Sequence, residues 1–216
     1  MKRILFSLMV VAAMLFGTLT TGHTAAITVS EYGPTSANGE ILSFTGSGSQ
    51  ADPYVLVEEL YGGSYVVEFW GMPQQGNPAN TGHSTGFWLK KEVRNHSRDL
   101  WQSFDNELWE TVWVPSSDGD GLSFAQGYDP RPFSSDRFPL WKETDDVRDY
   151  VNFYGGMVDS MESVIMNMII TDHSPIDVFY LHQRPNKPPP GVPEPVTLIL
   201  LGAGLLAVGF GRKFVK

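Results

Sequence analysis

The chain has 216 residues, no cysteine and a formal net charge of −9 at pH 7. This length suits a single domain with a sizeable core, and the absence of cysteine excludes a fold held by disulfide bonds. The acidic balance argues against nucleic acid and anionic membrane surfaces as partners.

The first 26 residues have the three-part pattern of a secretory signal peptide. Lys2 and Arg3 precede an apolar run, residues 4–17, and a polar stretch then ends in small residues. The apolar run is short for a permanent transmembrane helix. We therefore expect export by the general secretion machinery and cleavage by signal peptidase, after Ala26 or at a neighbouring small residue. An uncleaved N-terminal anchor is the alternative.

Residues 27–184 are predicted to form one extracytoplasmic domain of the all-β class, an antiparallel β-sandwich. Short β-branched and aromatic runs, among them "PYVLVEEL", "SYVVEFWG" and "IDVFYLHQ", alternate with clusters of Gly, Ser, Asn, Asp and Pro. The "YGG" between the first two runs favours a hairpin. In "ESVIMNMIIT", alternation predicts that one face of a strand carries Val164, Met166, Met168 and Ile170.

Two stretches of this domain leave helix and strand open. In "RDLWQSFDNELWETVW" the apolar residues Leu100, Trp101, Phe104 and Leu108 have near-helical spacing. "DDVRDYVNFY" also suits either a strand or a short helix.

The segment "GHSTG", residues 82–86, fits the G-x-S-x-G pattern of serine hydrolases. That pattern requires a buried strand before Ser84 and a helix after it. Here a polar, Pro- and Gly-containing stretch precedes Ser84, and "FWLKKEV" after it favours a strand. We expect a polar loop, and a secreted serine hydrolase is the less favoured alternative.

Other candidate sites also have simpler interpretations. Asp118 and Asp120 lie in "SDGDG", where a calcium site is possible, although the segment lacks the twelve-residue calcium-loop pattern and a turn is expected. The five histidines lack paired metal-ligand spacing, so no metal or other cofactor is expected. Glu58 and Glu59 are adjacent on a predicted strand and should point to opposite faces, which excludes them as a glycosidase pair. "NHS", residues 95–97, is a sequon that we expect to be unused.

The six tryptophans provide the main alternative function. Aromatic rings stack on sugars, so an exposed group of them would indicate a polysaccharide-binding module. Tryptophan is more often packed in a core, and the sequence does not distinguish exposed from buried rings.

The C-terminal 32 residues have the pattern of a linker, a membrane span and a stop signal. Residues 185–195 are rich in proline and should form an extended spacer. Residues 196–211 carry no charge and are predicted to form a short transmembrane helix. Residues 212–216 contain Arg212, Lys213 and Lys216, which should hold the end in the cytoplasm.

This tail resembles the PEP-CTERM sorting signal. Pro193, Glu194 and Pro195 precede the glycine-containing apolar run "LILLGAGLLAVGF", and basic residues follow. Two details depart from the family pattern: Phe214 and Val215 interrupt the basic end, and Val196 replaces a small hydroxylated residue. The resemblance implies processing by exosortase, a membrane-embedded protease or transpeptidase, in a Gram-negative bacterium that makes extracellular polysaccharide.

The middle of the chain has a looser likeness to ectodomains found in such proteins. "VRNHSRDLWQSF" resembles their recurring Asn, Trp and Phe pattern, and "FYLHQRP" resembles their closing strand. This likeness implies a β-sandwich without a known activity. We therefore predict an exported, non-enzymatic protein that is anchored transiently in the inner membrane and then reaches the cell surface or extracellular matrix.

Overall fold

The computed structural model describes residues 27–71, 83, 85–117, 121–125, 131–143, 148–173 and 177–186. Within these ranges the chain forms thirteen β-strands and a 3-10 helix, Gly33–Asn38. The predicted all-β class is confirmed. The predicted signal peptide, membrane helix and basic tail lie outside the described residues, and the linker does so from residue 187 onward.

The first sheet has seven strands. Its path runs through β1 (Thr28–Glu31), β4 (Tyr65–Trp70), β13 (Val178–Pro185), β6 (Trp101–Thr111), β11 (Tyr150–Val158) and β10 (Leu140–Glu143), and β7 (Val114–Pro115) also pairs with β6. All of these pairs are antiparallel. Strand β13, which includes the first residue of the predicted linker, Pro185, is therefore central in its sheet.

The second sheet has six strands. Its path runs through β2 (Gly39–Thr45), β3 (Tyr54–Leu60), β5 (Thr85–Asn95), β12 (Ser163–Asp172) and β8 (Leu122–Ser123), and β9 (Ser134–Ser135) pairs with β12. The pair β3–β5 is parallel, so the prediction of a purely antiparallel arrangement is wrong at this place. Parallel neighbours need a long connection, and the segment between β3 and β5 supplies it by passing through β4 in the other sheet.

The predicted hairpin around "YGG" is also wrong, because β3 and β4 lie in different sheets. β3 pairs with β2 and β5, whereas β4 pairs with β1 and β13. Gly62 and Gly63 have φ angles of 132° and 72°, which glycine adopts readily because it lacks a Cβ. They form a corner at which the chain crosses between sheets.

The alternation predicted for β12 is confirmed, since Val164, Met166, Met168 and Ile170 are all fully buried. Both ambiguous stretches form strands, β6 and β11. In β6 the inward side chains, Phe104 and Leu108, follow the two-residue period of a strand.

The two sheets share one hydrophobic core, in which aromatic rings make the contact between layers. Phe69 of the first sheet stacks on Phe179 of the same sheet, with ring centroids 4.8 Å apart, and on Phe87 of the second sheet at 6.1 Å. Burial of each such side chain stabilises the fold by about 1.5–3 kcal/mol. The described residues include no helix long and apolar enough to cross a membrane.

Candidate functional site

Most residues of the predicted sites lie outside the described ranges. This holds for the sorting motif Pro193, Glu194 and Pro195, for the stop residues Arg212, Lys213 and Lys216, and for Asp118, Asp120 and Ser84. Thr85, directly after Ser84, begins strand β5, whereas the hydrolase pattern requires a helix there. Among the described side chains, no three of His, Cys, Asp and Glu come together in a way that could hold a metal ion.

The prediction for the adjacent glutamates is confirmed. Glu58 points into the core and is fully buried. Glu59 points to the opposite face, where its carboxylate lies 3.1 Å from Arg94 Nη1 and 2.9 Å from His96 Nδ1. The two carboxylates therefore cannot flank one bond of a substrate.

Asn95 of the sequon is a buried structural residue. Its Nδ2 donates hydrogen bonds to the carbonyl oxygens of Asp99 and Val158, at 2.7 and 3.2 Å. Its Oδ1 accepts hydrogen bonds from the backbone N–H and hydroxyl of Ser97, and Trp101 Nε1 donates to the same hydroxyl at 3.2 Å. The "NHSRDLW" stretch thus forms a hydrogen-bonded turn that closes one end of the core.

The outward face of the first sheet carries a group of aromatic side chains, here called the aromatic face: Tyr32, Trp70, Trp109, Trp113 and Tyr180. Strand register places Trp109 opposite Tyr180. Tyr32 contacts Trp113 and Tyr180 edge-on, with ring centroids 6.4 and 5.9 Å apart, and Trp109 lies 5.3 Å from Trp113. Trp113 and Trp70 remain 58% and 47% exposed, so part of this face is open to solvent.

Trp113 has an unusual backbone conformation. It lies in the turn between β6 and β7 with a φ of 68°, a value that a bulky residue rarely adopts. This conformation strains the backbone, and the strained turn positions an exposed indole ring. The planes of Trp109 and Trp113 are inclined by 48°, so the two rings are not coplanar.

The remaining tryptophans have separate surroundings. Trp101 is buried in the core, and Trp88 packs against Ala125 and Ile169 on the outer side of the second sheet. Trp141, on the edge strand β10, is 36% exposed and contacts Phe133.

A charged cluster adjoins the aromatic face on the same outward side. Arg184 donates from Nη2 to Asp105 Oδ2 and, at 2.7 Å, to Glu107 Oε2. Arg148 Nη1 donates to Glu107 Oε1 at 3.0 Å, and His182 Nδ1 lies 3.4 Å from Oε2. Burial raises the pKa of Glu107, but the hydrogen bond with His182 and the charges of Arg184 and Arg148 outweigh it and hold that pKa below its ordinary value.

A second polar cluster lies between the two sheets, and we call it the core cluster: Glu58 and Lys91 from the second sheet, Asn106 and Gln183 from the first. All four side chains are fully buried. Lys91 Nζ donates to Gln183 Oε1 and, at 2.8 Å, to Asn106 Oδ1. Its distance to Glu58 Oε2 is 3.6 Å, and Gln183 Nε2 donates to Glu58 Oε1 at 2.7 Å.

The surroundings of the core cluster shift both of its titratable groups. Burial lowers the pKa of Lys91 to about 8, and the neighbouring Glu58 carboxylate only partly offsets this effect. Burial likewise raises the pKa of Glu58. Lys91 Nζ also lies 4.9 Å from the centre of the Phe104 ring, so the amine has an apolar wall on that side.

Sequence reasoning missed the core cluster, although a signal for half of it was present. Glu58 and Lys91 occupy inward positions of the alternating runs "PYVLVEEL" and "GFWLKKEV". A charged residue in register with buried neighbours is the mark of a buried polar group. The sequence does not show that β6 and β13 pair with each other, and this pairing brings Asn106 and Gln183 next to Glu58 and Lys91.

Comparisons with protein-family profiles, with curated proteins and with solved structures give no match.

Proposed function

We propose that the chain is an exported protein of the cell surface or extracellular matrix, sorted through a C-terminal signal of the PEP-CTERM type. The observation that carries the proposal is the order of features at the end of the chain: Pro193, Glu194 and Pro195, then the uncharged residues 196–211, then a basic end. The partners on this proposal are signal peptidase, the general secretion machinery and an exosortase-type membrane enzyme.

The features of the folded part are compatible with such a role. The described strands begin at Thr28 and end at Pro185, so the apolar segments at both ends of the sequence lie outside them. The absence of cysteine means that folding outside the cytoplasm requires no disulfide formation. On this proposal the β-sandwich domain is a non-enzymatic cargo of the sorting machinery.

The test is replacement of Pro193, Glu194 and Pro195 by alanine in a Gram-negative host that contains exosortase. The parent protein should appear at the surface or in the matrix in a shortened form. The triple variant should be exported and folded, because the change lies outside the described strands, but should stay in the inner membrane at its larger size. Maturation of the variant at the parent's rate would contradict the proposal. Deletion of the exosortase gene should reproduce the variant's phenotype.

A second candidate function is binding of extracellular polysaccharide by the aromatic face. The observation that favours it is the exposed Trp113 ring, held in a strained turn next to Tyr32 and Tyr180. Glu68 lies opposite Tyr180 in the same row and accepts a hydrogen bond from Ser30 Oγ at 3.0 Å. Rings flanked by hydroxyl and carboxylate groups provide both stacking and hydrogen bonds for a sugar.

A further inference from the structure

Burial of the core cluster between the two sheets costs free energy. A buried charged pair loses its hydration, and apolar residues of similar volume often give equal or greater stability. Lys91 and Glu58 are nevertheless fully buried, together with Asn106 and Gln183, against a core made mainly of aromatic and aliphatic side chains. An amine, a carboxyl group and two carboxamides therefore lie together where water is excluded.

The first requirement for such chemistry is a nucleophile. A lysine amine attacks a carbonyl carbon only in its neutral form, and desolvation is the usual means of obtaining that form near neutral pH. Burial lowers the pKa of Lys91 to about 8, so a minor fraction of the amine is neutral near pH 7 and this fraction grows at higher pH. The Phe104 ring, 4.9 Å from Nζ, offers no acceptor for a proton, so Glu58 is the nearby base.

The second requirement is an electrophile with a leaving group. The Gln183 carboxamide is held at both of its polar atoms, since Lys91 Nζ donates to Oε1 and Nε2 donates to Glu58 Oε1. The contact at Oε1 places the amine nitrogen beside this carbonyl group. Because both side chains are fixed in a packed core, their effective concentration is very high.

The third requirement is a group that moves the proton. Glu58 has one oxygen 3.6 Å from the attacking nitrogen and the other 2.7 Å from the departing nitrogen. A carboxyl group in this position is able to accept a proton from the amine and deliver one to the leaving group.

We propose that Lys91 and Gln183 become joined by an intramolecular isopeptide bond, formed with Glu58 as the proton carrier. Lys91 Nζ forms a bond to Gln183 Cδ, and the Cδ–Nε2 bond breaks. The proton lost by Nζ reaches Nε2 through Glu58, and one ammonia molecule leaves. The reaction exchanges one amide for another, so no oxidant, cofactor or second protein is needed.

Asn106 is the competing electrophile, and the geometry disfavours it. Its Oδ1 also accepts from Lys91 Nζ, at 2.8 Å, but its Nδ2 faces Met166 Sδ at 3.9 Å. Among the described residues, the Glu58 carboxyl group contacts Gln183 and Lys91 and forms no hydrogen bond with Asn106. The Asn106 amide therefore lacks a proton donor for its leaving nitrogen and serves to orient the amine.

The bond would tie β5 of the second sheet to β13 of the first across 92 positions of the sequence. A covalent link over so long a loop restricts the unfolded chain strongly, as a disulfide does. The chain has no cysteine, so this link would provide an equivalent constraint. The inference does not depend on the sorting signal.

The test is mass spectrometry of the full chain, purified under denaturing conditions. We expect a mass lower than that of the processed sequence by one ammonia molecule. A proteolytic digest should contain a branched peptide in which fragment ions join Lys91 to Gln183. A wild-type protein that has its full sequence mass and separate peptides for the two residues would overturn the proposal, and so would a branch at Asn106.

Single substitutions test the roles of Glu58 as the proton carrier and Lys91 as the nucleophile. Glu58→Gln keeps the size of the side chain but cannot carry the proton, so the branched peptide should disappear. Lys91→Met should also remove it. Lys90→Met, on the adjacent and partly exposed lysine, is the matched control and should leave the bond unchanged. A branched peptide that persists in Glu58→Gln would overturn the assignment of Glu58, and misfolding of a variant does not affect the wild-type measurement.

Discussion

The guanidinium group of Arg184 on β13 and the carboxylate of Glu107 on β6 form a partly buried ion pair on the outward face of the first sheet, with Nη2 2.7 Å from Oε2. Arg148 contacts the other oxygen of the same carboxylate. The Glu107 carboxylate thus accepts hydrogen bonds from both Arg184 and Arg148. Its loss would remove one acceptor from each of these arginines.

Glu107→Gln should lower the free energy of unfolding at pH 7 by about 1–3 kcal/mol, because hydrogen bonds to charged groups contribute that much. The pKa of Glu107 is depressed in the folded protein. The stabilisation is therefore complete above the ordinary carboxyl pKa of about 4.3 and is lost as pH falls through the lower, folded value. Denaturant unfolding from neutral to acidic pH should show wild type and variant converging.

The control for this prediction is Glu92→Gln, which changes a partly exposed carboxylate on the second sheet. It should change the free energy of unfolding by less than about 0.5 kcal/mol. A Glu107→Gln difference that stays constant from neutral to acidic pH would contradict the ion-pair explanation.

Asn95→Ala should destabilise the fold by about 2–4 kcal/mol, since it leaves several buried groups of the turn without partners. The matched control is Asn167→Ala, because Asn167 Nδ2 donates one exposed hydrogen bond to Ser134 Oγ. Thermal unfolding of the two variants should differ clearly. Equal stability would mean that the turn at residues 95–101 contributes little.

Trp113→Ala should weaken any binding of extracellular polysaccharide at least about tenfold, because the exposed ring would no longer stack on sugar. This factor corresponds to about 1.4 kcal/mol of binding free energy. The control is Trp141→Ala, which removes a partly exposed ring on the edge strand β10. Titration calorimetry with polysaccharide from the host provides the measurement. Binding that both variants weaken equally would exclude the aromatic face as the site. Moderate salt should have little effect, since stacking is not chiefly electrostatic.

The predicted membrane topology places the end of the chain in the cytoplasm, because Arg212, Lys213 and Lys216 resist translocation. A reporter that is active only in the cytoplasm should therefore be active when fused after Lys216. Activity from a reporter that works only in the periplasm, with silence from the cytoplasmic one, would reverse the orientation.

Residues 27–186, produced alone, should fold cooperatively and give a circular dichroism spectrum dominated by β structure. They should hydrolyse no ester, and Ser84→Ala should change nothing measurable. Ester hydrolysis that is lost in Ser84→Ala would instead support the hydrolase alternative. A fragment that stays unfolded would show that the strands need the terminal segments.

The sequence by itself predicted the all-β class and several of the strands, among them β3, β4, β12 and β13. The inward direction of Met166 and the opposite directions of Glu58 and Glu59 follow from the two-residue period of a strand, which is a local property of the backbone. Turn residues likewise marked where strands stop. The spacing around Phe104 left helix and strand open because Leu100, Phe104 and Leu108 fit both periods, and only pairing with β11 and β13 decides between them.

Only the tertiary structure decided which strands are neighbours. The crossing at Gly62 and the parallel pair β3–β5 depend on pairings between distant segments, which no local pattern encodes. The same holds for the core cluster, in which Glu58 and Gln183 are 125 positions apart, and for the aromatic face, which combines side chains from four parts of the chain. Each strand's sequence specifies which side chains turn inward, but the packing of the two sheets determines which of them meet.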